Sequence, residues 1–226
     1  ITLAVRNIPT TLINTTTTTN NTVNGIKYYK LNGGFVDFTS PTARFGTTTK
    51  TIIIEWGDAY INNDLIEPSW ANSPRAIIVM KNSAGTGWNI YIDGGVKRIS
   101  ASLIAEGNIL SGKRSLSVPT ITLYNDTKAK VTNLPSNQLS IIGMVTSRNT
   151  IGGASTSRAP ECPYGITEVC TREVALRYDF NYFRTFDKTA AHRGYSDSTL
   201  DDFSMILQYD SRLISDPPPI LKKFAQ

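Results

Sequence analysis

Residues 87–112 read GWNIYIDGGVKRISASLIAEGNILSG. Short apolar runs (Trp88, Ile90 and Ile92, then Ile99, Leu103 and Ile104, then Ile109 and Leu110) are broken every few residues by Gly, Asn or Asp. The runs are too short for ordinary helices, and they return too regularly for an unstructured loop. What remains is a β structure wound in short strands, with Gly and Asn at the turns.

The same texture extends to both sides. IKYYKL, GFVDFTS and KTIIIEWGDAYIN occupy 26–62, and each is β-branched or aromatic and bounded by Gly, Pro or Asn. AIIVM (76–80), LSVPTITLYN and LSIIGMVTS (139–147) follow. Ile52–Ile54 and residues 76–80 are continuous apolar runs rather than alternating ones, which predicts strands covered on both faces. Helical periodicity is nearly absent, and Pro is mostly confined to connections, where its missing N–H costs no ladder bond.

Two all-β architectures compete. A sandwich would carry tight hairpin turns, and Asn24-Gly25 is the one plausible two-residue case. A parallel β-helix would stack one strand of each rung on its counterpart in the next, with apolar ladders inside and Gly and Asn at the corners. Aligning IIIEWGDAYI (52–61), IIVMKNSAGTGWNIYI (77–92), SLIAEGNIL (102–110) and SIIGMVTSRNTI (140–151) gives a rough repeat of apolar pair, polar, Gly, apolar. The expected fold is therefore all-β, a right-handed parallel β-helix or β-solenoid-like domain with an irregular C-terminal segment, and a β-sandwich is the alternative.

The 226 residues suffice for a large core. We divide the chain into an N-terminal strand and Thr-rich segment (1–25), a solenoid-like body (26–152), and a region (153–226) with a disulfide loop, terminal strands and a Pro-rich tail. Five consecutive Thr at 15–19 read as a spacer or as an edge strand that could add to a neighbouring subunit's sheet. EVALRYDFNYFRTF (173–186) alternates like a strand, with a helix as the other reading, and DFSMILQYDSRLI is a candidate last strand. Three prolines at 217–219 then force an extended path, and this tail, like the Thr-rich start, is expected to reach neighbouring subunits.

Charged residues make up 18% of the chain, with Thr, Asn and Ser in their place, a composition common in extracellular surface proteins. The net charge of +5 is scattered in small pairs such as Lys97-Arg98, Lys113-Arg114 and Lys222-Lys223, so a nucleic-acid partner is not expected. No apolar stretch is long enough to cross a membrane, and no secretory leader pattern is visible. The chain begins at ITLAVRNIP without Met, as a processed protein or a fragment would.

Cys162 and Cys170 flank Pro163 and Gly165 in ECPYGITEVC, which permits a short disulfide loop; free structural thiols or redox work are the other readings. A disulfide would imply an oxidising compartment.

The combination of IIIEWGDAYI, GWNIYIDGGVKRISASLIAEGNI, LSIIGMVTSRNTIGGA and YDSRLISDPPP resembles a group of uncharacterised secreted β-solenoid-like surface proteins of candidate-phyla (Patescibacteria-like) bacteria. The shared features fall at Asn89–Ile92, Gly143–Gly153 and Tyr209–Pro219, and the resemblance covers roughly residues 50–220. It implies a cell-surface protein, often tethered or assembled into appendages, and it brings no catalytic motif.

Enzymatic and metal chemistry find little footing. His192 is the one histidine, and KTAAHRGYSDS around it lacks a nucleophile-elbow pattern. Asp58 and Asp64, with Glu55 and Glu67 nearby, read as turn acids, with a glycosidase carboxylate pair as the competing reading. DSTLDD (197–202) lacks the Gly and spacing of a calcium loop, and GGASTS (152–157) has no lysine at phosphate-loop spacing. Neither cofactor nor metal is expected.

The aromatics Trp56, Trp70, Trp88, Tyr178 and Tyr182 would form a sugar-stacking platform, a subunit interface, or simply core. Sequons at Asn14, Asn20 and Asn125 matter only in a eukaryotic secretory route. The function expected is that of an extracellular structural protein, a self-associating subunit of a cell-surface filament or pilus. An adhesin for cell-wall or host glycans is the alternative, and a carbohydrate-active enzyme comes last.

Overall fold

The computed structural model describes residues 22–31, 33–39, 45–67, 74–80, 88–114, 121–122, 139–149, 151, 154–155, 160–161, 169–171, 205–218 and 221. Its strands, in chain order, are β1 (Thr22–Val23), β2 (Ile26–Lys30), β3 (Phe35–Phe38), β4 (Thr51–Glu55), β5 (Asp58–Ile61), β6 (Ala76–Met80), β7 (Ile90–Ile92), β8 (Arg98–Ile99), β9 (Ser102–Ala105), β10 (Ile109–Ser111), β11 (Lys113–Arg114), β12 (Ile121–Thr122), β13 (Leu139–Ile142), β14 (Val145–Ser147), β15 (Ala154–Ser155), β16 (Pro160–Glu161) and β17 (Met205–Gln208). One single-turn helix, α1 (Arg212–Ser215), follows. The chain is thus β-rich, and its longer ladders are parallel.

The short runs separated by Gly and Asn build three main sheets. The first has the order β1-β2-β4-β6-β9-β14, the second β10-β7-β5-β3, and the third β17-β13-β8. In the first, Ile26 pairs with Thr51, Thr51 with Ala76 and Ala76 with Ser102, all parallel and at nearly equal chain spacing. The chain moves from a strand of the first sheet to one of the second, and from β7 onward to the third, before returning one position further along. Isolated parallel bridges Leu65↔Ile99 and Ile109↔Ile151 extend the third and second ladders. Antiparallel pairing, on which a sandwich depends, is limited among the described residues to the short pairs β1–β2, β11–β12 and β15–β16.

The parallel pairing sorts side chains into stacked rows. Ile52, Ile77 and Leu103 face inward, and so do Ile54, Val79 and Ala105; Ala59, Ile90 and Ile109 meet them from the second sheet. Phe38 and Phe45 fill one end of this interior with ring centroids 6.3 Å apart. The other face of the first sheet carries a second apolar cluster of Ile26, Tyr28, Ile53, Ala76, Ile78, Met80 and Ile104. Leu213 of α1 and Leu221 cover it. This cover explains the continuous runs at Ile52–Ile54 and residues 76–80, since both of their faces are dry.

Two expectations need correction, the place of 140–143 and the extent of the last strand. SIIG (140–143) does not belong to the first sheet: β13 lies in the third, and Val145 is the residue that stacks on Leu103. Its apolar pair imitated the repeat, but Gly143 and Met144 form the turn into β14. The predicted last strand stops at Gln208 and gives way to α1, where the Asp210 Oδ1 accepts the Arg212 N–H at 3.0 Å and opens the turn. The described part of the Pro-rich tail packs on the chain's own first sheet, with Pro217, Pro218 and Leu221 buried, because that apolar face is the nearest one needing cover. Asn24-Gly25 does form the hairpin turn between β1 and β2, both residues at positive φ (51° and 75°), as a type I′ turn requires. ITLAVRNIP, the Thr tract, EVALRYDFNYFRTF and His192 lie outside the described residues.

Candidate functional site

The edge where the chain passes from the first sheet to the second carries a column of hydrogen-bonded polar side chains. Ala59↔Ile90 and Ile90↔Ile109 place Asp58, Asn89 and Asn108 one above another. The Asp58 Oδ1 accepts the Trp88 N–H at 2.9 Å and the Asn89 N–H at 2.8 Å. The Asn89 Oδ1 in turn accepts the backbone N–H of Asn108 at 2.9 Å and its side-chain N–H at 3.2 Å. Each side chain thereby holds the turn of the next layer. Burial pushes the Asp58 carboxyl above its ordinary value, and the two backbone N–H groups from Asn89 and Trp88 pull it back.

Asp64 repeats the device at the entry to the third sheet, its Oδ1 accepting from Lys97 N at 2.6 Å and Arg98 N at 3.1 Å. Glu55 accepts the Tyr28 hydroxyl, and burial raises its carboxyl. These acids are held by the backbone and by neighbouring side chains rather than standing as solvated turn residues. Asp201 and Asp202 lie outside the described residues. Among the described residues no three His, Cys, Asp or Glu side chains are grouped as a metal would need.

Trp56 and Trp88 sit on successive passages of the same edge, Trp56 between β4 and β5 and Trp88 ahead of β7. Both are half-buried, each partly open to solvent. Trp56 adopts φ 66°, a left-handed conformation unusual for a bulky residue, and the Lys30 ammonium lies 4.9 Å from its ring centre. On the adjoining outer face of the second sheet, Asp37, Tyr60 and Tyr91 share one row. Phe35 meets Tyr60 edge-on at 5.9 Å, and the Tyr60 hydroxyl donates to Asp93 at 2.7 Å. Trp70, Tyr178 and Tyr182 lie outside the described residues. So does Cys162; Cys170 is exposed, and no described cysteine is a free thiol.

One cluster escaped the sequence reading. The Arg212 guanidinium spans Asp210 (Nε to Oδ1 2.9 Å, a terminal nitrogen to Oδ2 2.7 Å) and reaches Glu67 at 2.5 Å. Hydrogen bonding from Arg212 holds the Asp210 carboxyl below its usual range, and the same contacts raise Arg212. Arg75, itself buried, interacts electrostatically with Glu67 and lies 4.8 Å over the Phe45 ring, and burial lowers its pKa. Only the YDSRL string hinted at this clamp, through an acid and a base two residues apart just after a strand.

Compared with family models, curated proteins and solved structures, the chain finds no match. No described helix is long and apolar enough to cross a membrane.

Proposed function

We propose that the chain is an extracellular structural protein whose parallel ladders form a right-handed β-solenoid, and that it serves as a subunit of a cell-surface filament, pilus or similar assembly. Right-handed crossover is the near-universal hand for parallel strands joined in one sheet. Such a body is stiff because nearly every backbone group pairs with a neighbouring layer.

The observation that carries this reading is the way the ladders end. Ile151 and Leu207 stand in register with the buried Ile109 and Ile141, yet they are 43% and 53% exposed. An interior row that runs out into solvent at the last described strand of its ladder favours contact with another chain. A Cys162–Cys170 bridge, which the absence of a free thiol at Cys170 supports, suits an oxidising exterior. With Asp58, Asp64 and Glu67 each engaged in holding the fold, catalysis is not part of this proposal.

Electron microscopy of the full chain at rising concentration is the test. Regular fibres support a structural subunit, and dispersed monomers overturn it. The second reading, a glycan-binding adhesin, draws on the half-exposed Trp56 and Trp88 at one edge, and a glycan-array screen with Trp88→Ala as control distinguishes it.

A further inference from the structure

The outer face of the first sheet would be a bare apolar strip without its cover. Ile26, Tyr28, Ile53, Ile78 and Ile104 are all at most 5% exposed, and the described cover consists of Leu213, Leu221 and the nearby Met144. Among the described residues, the covering segment (210–218 and 221) makes no strand pair with that sheet, and side-chain burial and ion pairs contribute to its hold. Arg212 reaches Glu67, and Lys50 meets Asp216 at 3.6 Å across an exposed gap. Just before it, β17 is anchored independently in the third sheet by β13. Between anchor and strap lies an exposed Tyr209, and the strap's own Ile214 points largely into solvent at 73% exposure.

Among the described residues, such a segment can leave its face without breaking a ladder hydrogen bond of the first sheet. The vacated strip cannot remain bare in water. The occupant that fits it is already seen on it: apolar anchors eight residues apart, an Asp-Arg clamp between them and β17, and Pro217 and Pro218 buried after the single turn of α1.

We infer that residues 210–221 are an exchangeable strap, and that a second copy of this chain docks by laying its own strap on this face. The inference rests on the self-assembly reading above and names the contact for it. Exchange replaces each contact by an identical one, so it adds connectivity between subunits at little cost in contact energy. Within one chain the strap is favoured by its high effective concentration; at high subunit density, exchange competes.

Charge reversal separates the two states. Glu67→Arg places like charge opposite the wild-type strap, and Arg212→Glu places like charge opposite the wild-type face. Mixed, the Glu67→Arg face meets the Arg212→Glu strap, and the remaining face and strap are the native pair. Strap exchange therefore predicts that native mass spectrometry shows a one-to-one heterodimer in the mixture, about tenfold or more above the dimer of either variant alone. Monomers in the mixture, with the β signal in circular dichroism intact, overturn it. Should either variant fail to fold, two mass-labelled wild-type populations warmed together to the edge of unfolding and cooled decide the matter: mixed-label dimers support exchange, and none overturns it. Fibres by microscopy without any exchanged dimer would leave the assembly reading standing and remove the strap, whereas exchanged dimers without fibres would do the reverse.

Discussion

At the scale of single residues, close approach between layers decides what is tolerated. A Cβ at Gly143 would lie 2.6 Å from the Ala101 carbonyl oxygen, and its φ of 153° is in glycine's territory. Gly46 also has positive φ (58°) but open space around it. We expect Gly46→Ala to lose about 1 kcal/mol from conformational strain alone. Gly143→Ala should lose about 3 kcal/mol or more, because backbone cannot move aside as a side chain can. Urea denaturation of both variants checks the difference. Asp210 supplies a pH signature. Its carboxyl sits below the unfolded value chiefly through the Arg212 hydrogen bond, so its contribution is complete above the unfolded pKa of about 3.9 and is lost as pH falls through the folded value. Asp58 and Glu55 act in the opposite sense, since burial raises both and their protonation favours the fold. Asp210→Asn should therefore flatten the stability–pH curve below about pH 4, and Asp58→Asn should remove a gain in stability that wild type makes just above that pH, where the raised Asp58 carboxyl takes up its proton in the fold before it does in the unfolded chain.

At the scale of elements, the covering segment shows which contacts hold and which merely coincide. The Lys50–Asp216 pair has both side chains about two-fifths exposed (43% and 40%), so Lys50→Ala should change stability by about 0.5 kcal/mol or less. Arg212→Ala should cost about 2–3 kcal/mol, because it strands the Asp210 and Glu67 carboxylates at 8% and 12% exposure. The guanidinium's own 35% exposure keeps the loss below that of a fully buried pair. Thermal unfolding of the two variants side by side tests the ranking. The strands themselves were legible in the sequence, since β2, β4, β6, β7, β9 and β10 each coincide with an apolar run bounded by Gly, Asn or a charged residue. Their grouping was only half legible. Tyr60–Tyr91 and Ile61–Ile92 stack as the repeat suggested, but the run at 140–143 belongs to another sheet. An apolar pair before a Gly carries no label for the sheet it joins.

For the whole molecule, the parallel ladders make one continuous interior, so core damage should spread rather than stay local. The proposed Cys162–Cys170 bridge closes only a short loop and adds about 2–3 kcal/mol at most by limiting the unfolded chain. Peptide mapping without reductant should recover the two cysteines in one linked fragment; separate alkylated peptides would refute the bridge.

The sequence by itself determined that the chain would be β-rich, where most of its short strands lie, and that Asn24-Gly25 would turn a hairpin. Those are local matters, set by side-chain branching and by which residues accept positive φ. Only the tertiary structure decided what covers the outer face of the first sheet, and that Asp58, Asn89 and Asn108 would stand in one column. It also decided that Glu67 would meet Arg212 across most of the chain. Those contacts depend on how the ladders bring distant residues together, and ladder register is a sum of many weak preferences that no short stretch of sequence contains.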